Sequence, residues 1–422
     1  MTARTESGGP TSARRRALGQ RHGLRRVPGR MLLAVGLPAL LFLAAIPAQS
    51  SAESLARRAV TSTISTLDAR ASTTGAIVIG TNGSAYVAWE HPSSGPATIR
   101  FCVILPGGTC KHAITLPIPS NPDKGWAVTQ PFPILGGKAG VVYVVGPRYV
   151  PDDSIIWTST DGGASFSRGY VLANSYVGET NVDDVLRIAD PHPTKDFFAV
   201  GSNNPGLGFS TTTTLYVKCN VCSLSFGAGG VAGGTLGILA GRAVEAFWND
   251  ASPPMVDYYW SPTDDMPEAG AWYGPIAVSK GIGARLTSGP KGMFLLSQDF
   301  AGHEPQATRL DVRKWNAATH RFGPAVTVVD DTSSSGSDAI GGFGEDSLTG
   351  ALYVAWVGSS SKGDVVRVWI STDGGLKWSK ATDVAKVDGT SAGPIRIAAR
   401  DGKGFLTFED VAGLHLVDLS HL

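Results

Sequence analysis

The 422-residue chain sets 36 Lys+Arg against 35 Asp+Glu, a formal charge of +1, with only 17% of its residues charged. Near neutrality excludes a strongly basic nucleic-acid binder, and 42% hydrophobic content at such low charge excludes a disordered chain. The 53 glycines and the abundance of Thr, Ser and Val point to an all-β chain rich in turns.

The +1 averages two unlike pieces. Residues 1–30 hold Arg4, Arg14, Arg15, Arg16, Arg21, Arg25, Arg26 and Arg30, with Glu6 as the sole acid, and Met31 to Ala45 is an uninterrupted apolar run. A basic region, an apolar region and the small residues that follow (Ser50-Ser51-Ala52, or Ala48) predict a secretory signal over 1–52. The protein is thereby expected to be exported and extracellular. An uncleaved anchor is the alternative, although the run is shorter than the ~20 residues of a membrane span. Without its eight Arg and one Glu, the remainder (53–422) carries 28 Lys+Arg against 34 Asp+Glu, net −6.

Along that remainder one pattern returns: a short apolar segment, a Gly/Asp turn, then a stronger apolar-aromatic segment. It occurs at 75–91, 131–148, 185–204, 234–250, 283–300, 339–358 and 393–410. The second segments open near residues 83, 139, 195, 241, 291, 349 and 402, a mean interval near 53 residues. Such repeats predict four-stranded sheets around an axis, a single seven-bladed propeller over 53–422. The last repeat lacks a fourth strand, and the β-branched run near Arg57 to Ser65 is expected to supply it from the N-terminal end.

Two repeats continue into a sharper motif, S-x-D-x-G-x-x-[FW]: Ser159, Asp161, Gly163 and Phe166, then Ser371, Asp373, Gly375 and Trp378. Asp and Ser can hydrogen-bond turn backbone, Gly supplies positive φ, and the aromatic is expected to pack back into its own blade. The stretches WNAATHRF (315–322) and Ser261-Pro262-Thr263-Asp264 read as decayed versions. These motifs resemble the Asp boxes of sialidase-like, BNR-repeat propellers. The resemblance implies a propeller whose boxes are structural and lie away from the ligand face. It also admits a six-bladed ring, in which the Gly-rich unit at 234–250 would be something else.

The four cysteines fit the same plan. In an exported chain they predict disulfides Cys102–Cys110 and Cys219–Cys222, each at a turn between third and fourth strands. Zinc at the C-x-x-C would lack two further ligands, so no metal is assigned; calcium near Asp152-Asp153 or Asp183-Asp184 is not indicated by any motif. No cofactor is expected.

The site expectation rests on propeller topology, in which starts of first strands and ends of second strands share one mouth. Arg187, Arg285 and Arg396 open three first strands. Sialidase-like enzymes clamp a substrate carboxylate with three arginines, and by that resemblance these three would bind an anion. The family's Arg-Ile-Pro motif is absent. Ends of second strands supply Glu90, Asp250, Asp299, Glu409 and Asp410, and Glu245 with Tyr258 or Tyr259 on the following strand is a candidate for the family's Glu–Tyr pair, a Glu turned between blades toward an Arg being the alternative. The expected role is therefore binding of a glycan or small anionic ligand by a monomeric extracellular propeller, with no nucleic-acid partner and a membrane partner only if the signal is retained. An exo-sialidase-type glycoside hydrolase and a cell-surface interaction scaffold are the alternatives. Arginines that point into separate blade interfaces would count against the clamp.

Overall fold

The computed structural model describes residues 63–71, 75–92, 98–105, 108–116, 131–136, 139–148, 153–172, 185–189, 196–204, 209–216, 223–229, 231–239, 242–249, 253–262, 273–300, 307–330, 341–361, 363–389 and 393–422, with backbone alone between 185 and 229. All regular structure among them is β-strand. Beginning at Ala76, the chain builds antiparallel meanders of neighbouring strands. The first is β2 to β5 (Ala76–Ile79, Ala85–His91, Thr98–Ile104, Cys110–Leu116) and the second β6 to β9 (Phe132–Leu135, Val142–Arg148, Asp153–Ser159, Tyr170–Leu172). The third is β10 to β13 (Val185–Ala189, Asp196–Asn204, Phe209–Tyr216, Ser223–Gly229).

An eight-stranded path follows. It runs through β14 (Val231–Leu239), β15 (Arg242–Asn249), β16 (Met255–Pro262), β17 (Tyr273–Gly289), β18 (Gly292–Phe300), β19 (Ala307–Asn316) and β20 (Arg321–Phe322), with β21 (Val326–Asp330) on β19. Its first half ends and its second half begins within β17, which pairs with β16 through Tyr273–Lys280 and with β18 through Gly281–Gly289. Next come β22 to β25 (Gly342–Glu345, Leu352–Ser360, Gly363–Ser371, Thr382–Lys386) and β26 to β28 (Arg396–Arg400, Lys403–Asp410, Gly413–Asp418).

The final sheet takes its fourth strand from the other end of the chain: β1 (Ile64–Asp68) pairs antiparallel with β28, Ile64 opposite Val417. The strand lies later than the expected run; residues 57–62 fall outside the described residues. First strands touch in a closed circuit, β2 to β6, β10, β14, β17, β22, β26 and back to β2. Asp346, just after β22, bridges in parallel to Ala399 of β26, so these inner strands share a direction. Antiparallel sheets whose first strands run parallel around a closed circuit form a β-propeller.

Alternation along the second strands shows why they are apolar throughout. In β3, Val87 and Trp89 pack toward the β26–β28 sheet while Tyr86 and Ala88 pack toward β6–β9. Each sheet is thus covered on both faces, so the polar alternation of a half-buried strand is lost.

Both S-x-D-x-G-x-x-[FW] motifs form turns between third and fourth strands. Ser159 Oγ donates to Asp161 Oδ1 (2.7 Å) and accepts from Gly163 N (2.8 Å); Ser371 Oγ does the same with Asp373 Oδ1 and Gly375 N (both 2.9 Å). Gly163 and Gly375 sit at φ 88° and 84°, and a Cβ at Gly163 would fall 2.7 Å from the Phe101 ring. The aromatic member bridges two sheets. Phe166 meets Phe101 of the preceding sheet edge-on at 4.8 Å and packs on a cluster that includes Val142 and Trp157 of its own sheet, and Trp378 packs on a cluster that joins Phe294 and Val312 to Leu352 and Trp369 of its own sheet. At 316–321 the Asn316 side chain accepts from Ala318 N and Thr319 N, substituting for the box Asp. Cys102 and Cys110 form a disulfide across the corresponding turn of the first sheet, Cα atoms 5.9 Å apart. Cys219 and Cys222 lie outside the described residues.

Candidate functional site

The meanders give the ring two faces. Turns between first and second strands and between third and fourth strands, the box turns included, define a box face. The ends of second strands define the opposite, rim face. Glu90, Glu409 and Asp410 are rim positions at the ends of β3 and β27.

These three come together where the last sheet meets the first. Burial, then the charges of Glu90 and Asp410, push the Glu409 carboxyl up to about 7. Asp410 is in the opposite state. Burial would raise it, but N–H groups of Asp388 (2.9 Å) and Ala412 (2.8 Å) and the His415 ring (2.8 Å) hold it ionised below the usual range. Two adjacent carboxyls thus differ in protonation because one has backbone donors and its neighbour faces a second carboxylate.

Asp68, the last residue of β1, lies at the same seam. It is buried, which alone would raise its pKa, yet Trp89 Nε1 (2.7 Å) and Arg70 N (3.0 Å) donate to it and His91 Nδ1 lies at 2.6 Å, so it stays below the usual range. Arg100 adds a cation at 3.6 Å. No local motif marks Asp68: its partners are on β3 and β4, and only ring closure brings them to it.

The remaining carboxylates stand elsewhere. Asp299, on β18, belongs to a buried group with Asp311, Arg313, Ser297 and Ser279. Arg313 Nη2 donates to it at 2.5 Å and Ser279 Oγ at 2.8 Å. Burial opposes ionisation of both acids; Arg313 holds Asp299 down while burial and Asp299 push Asp311 up, so the two carboxyls titrate as a coupled pair with Asp299 the more acidic. Glu245 is buried opposite Tyr259, whose phenol is raised by burial and then by the Glu245 charge. Tyr258 points away from Glu245 and donates its hydroxyl to His320 O (2.8 Å), so of the two candidate tyrosines it is Tyr259, not Tyr258, that faces Glu245. Asp250 lies outside the described residues.

The arginines occupy one register position: Arg187 faces Phe198, Arg285 faces Leu296 and Arg396 faces Thr407. Their sequence equivalence is therefore real. Arg285, 4% exposed, donates Nε to Gly341 O, just before β22, and is built into the seam with the next sheet. Arg396 shares its sheet face with Thr407, whose Oγ1 donates to Gly75 O just before β2, in another seam. Arg285 is thus tied into one seam and the Arg396 position lies on the face that meets the first sheet, while nothing is described of the Arg187 side chain.

No family model matches this chain, and no curated protein matches it. Solved structures do. An α-L-arabinofuranosidase of Fusarium graminearum bound to an iminosugar inhibitor matches at TM-score 0.47 and 12% identity, over 83% of this chain and 94% of that one. A Trypanosoma rangeli sialidase with sialic acid matches at 0.48 and 13%, over 85% of this chain; this chain spans only 59% of that protein. The β-propeller domain of the trilobed protease of Pyrococcus furiosus, described as having an open velcro topology, matches at 0.46 and 10%, over 82% and 95%. At these identities and scores none of the likenesses says what this chain binds or does.

Proposed function

We propose that the protein is a secreted seven-bladed propeller of the Asp-box type that binds a glycan on its rim face, at the seam between last and first sheets. The supporting observation is the meeting of Glu90 and Glu409 from opposite ends of the chain, with Glu409 holding its proton to about 7. Paired acids, one protonated and one ionised, both accept from and donate to sugar hydroxyls. An anionic ligand would meet Glu90, Glu409 and Asp410, so the reading narrows to a neutral glycan. The test is binding to an array of neutral and sialylated glycans. Glu409→Gln and Glu90→Gln should each weaken binding of the best neutral ligand at least about tenfold. Unchanged affinity in both variants refutes the reading, and a preference for sialylated glycans lost in Arg396→Ala restores the arginine site.

A second reading, glycoside hydrolysis, is favoured by the same protonated acid. A carboxyl held to about 7 beside a second carboxylate is the arrangement of a general acid with its base or nucleophile. Turnover of neutral aryl glycosides that falls above pH about 7 and is lost in Glu409→Gln would establish it. Binding without turnover leaves the protein a lectin. Export with cleavage after Ala52 or Ala48 is checked by N-terminal sequencing of the protein recovered outside the cell.

A further inference from the structure

The box face carries a patch that is both apolar and basic, whereas the rim's exposed Val411 (78%) stands beside the acids of the closing seam. Leu348, in the turn between β22 and β23, is 54% exposed, and Leu376, in the second box turn, is 71% exposed. Exposed lysines surround them: Lys291 in the turn between β17 and β18, Lys314 on β19, and Lys377 and Lys380 in and after the box. The group is contiguous. A Cβ on Gly350, two residues after Leu348, would run into the Lys291 side chain, and one on Gly374, two before Leu376, would lie 3.9 Å from Lys314 Nζ. Beneath them the buried Glu345 carboxyl lies beside Lys291 and Lys314, and the exposed Asp373 is occupied by Ser371 Oγ and by the N–H groups of Leu376 and Lys377. The rim is mixed, with Glu90, Glu409 and Asp410 at the seam, Asp330 and Asp388 exposed, and Lys280 and Lys386 exposed as well.

Leucines at turn tips, set among ammonium groups, gain nothing from the fold that holds them. An anionic bilayer uses both: the interface takes the apolar side chains and head-group phosphates take the lysines. A soluble polyanion would use the lysines and leave the leucines in water. The chain also enters the ring on this face, at Thr63 and the exposed Ile64. We propose that the box face docks on an anionic lipid bilayer, which turns the rim outward to solution. This docking does not depend on what the rim binds.

The test is a lysine-labelling footprint of the full chain, with vesicles of phosphatidylcholine alone or with phosphatidylglycerol added. Anionic vesicles should reduce acetylation of Lys291, Lys314, Lys377 and Lys380 at least about threefold at low salt, while Lys280 and Lys386 at rim positions keep their reactivity. Neutral vesicles should protect neither set. The double variant Leu348→Ser, Leu376→Ser should lose most of the protection. Equal labelling of both faces with anionic vesicles overturns the proposal. So does protection that survives the double variant and is reproduced by soluble polyphosphate, since the patch would then recognise polyanions by charge alone. Protection of the four box-face lysines by neutral vesicles, which a retained apolar run 31–45 would give, overturns the proposal.

Discussion

Two seams of the ring are closed in different ways. Within the eight-stranded path the backbone is continuous through β17, yet a buried polar group (Ser279, Ser297, Asp299, Asp311, Arg313) still ties the halves together. At the closing seam the strands come from opposite ends of the chain, and Asp68 gathers donors from β3 and β4. At the closing seam the Asp68 carboxylate is satisfied largely by groups on the neighbouring sheet, whereas Asp299 takes Arg313 and Ser297 from its own sheet and Ser279 from the other half. A buried carboxylate needs several directed donors, and that requirement fixes a relative position that apolar packing alone leaves loose. Where chain continuity is missing, such directionality matters more.

The largest effect should come from the continuous seam. Asp299→Ala leaves the buried Arg313 guanidinium without its main partner and should cost about 3–5 kcal/mol, measured by chemical denaturation. Asp68→Ala should cost less, about 2–3 kcal/mol, because Arg100 and His91 can turn toward water. If the order is reversed, closure outweighs burial as the determinant of stability, and the contrast between the seams fails.

Acid sharpens the same contrast. Asp68, Asp299 and Asp410 have folded pKa values below the ordinary 3.8, so each stabilises the fold above that pH and its contribution is lost as pH falls through the folded value. Glu409 works in the other direction. Its folded value of about 7 exceeds the ordinary 4.5, so its contribution is complete below 4.5 and lost as pH rises through about 7. Glu409→Gln should therefore stabilise the protein at pH 8 by about 1 kcal/mol, much of the charge effect being screened by solvent, and by nothing at pH 4. A thermal melt series across pH reads both. A box turn gives an effect of similar size. Ser371→Ala removes the acceptor for Gly375 N and should cost about 1–2 kcal/mol while Ser159→Ala costs a similar amount, showing that the two turns are equivalent units.

Much of the architecture was legible because it is written locally. A strand–turn–strand unit declares itself by apolar runs around Gly and Asp, and the box turn needs only residues within one octet, Ser371 to Trp378. The repeat position of Arg187, Arg285 and Arg396 was likewise readable and is matched by their common register. Their destination was not, because a repeat position specifies a strand face and not what that face meets. Glu90 and Glu409 were visible as strand-end acids, whereas the polar groups around Asp68 and His91 and around Asp311 and Arg313 were not, since their partners are supplied by ring closure in the first and by register in the second.

The overall charge of +1 illustrates the division. Sequence alone separates it into an arginine-rich leader and a remainder of net −6, because charge and hydropathy are additive along a chain. It also determines the strands, the turns and the Cys102–Cys110 pairing, all set by contacts close in sequence. Only the tertiary structure decided how that −6 is distributed: acids converge at the closing rim and lysines gather on the box face. Circular closure brings residues more than 300 positions apart, such as Thr407 and Gly75, within hydrogen-bonding distance, and proximity of that kind has no local signature.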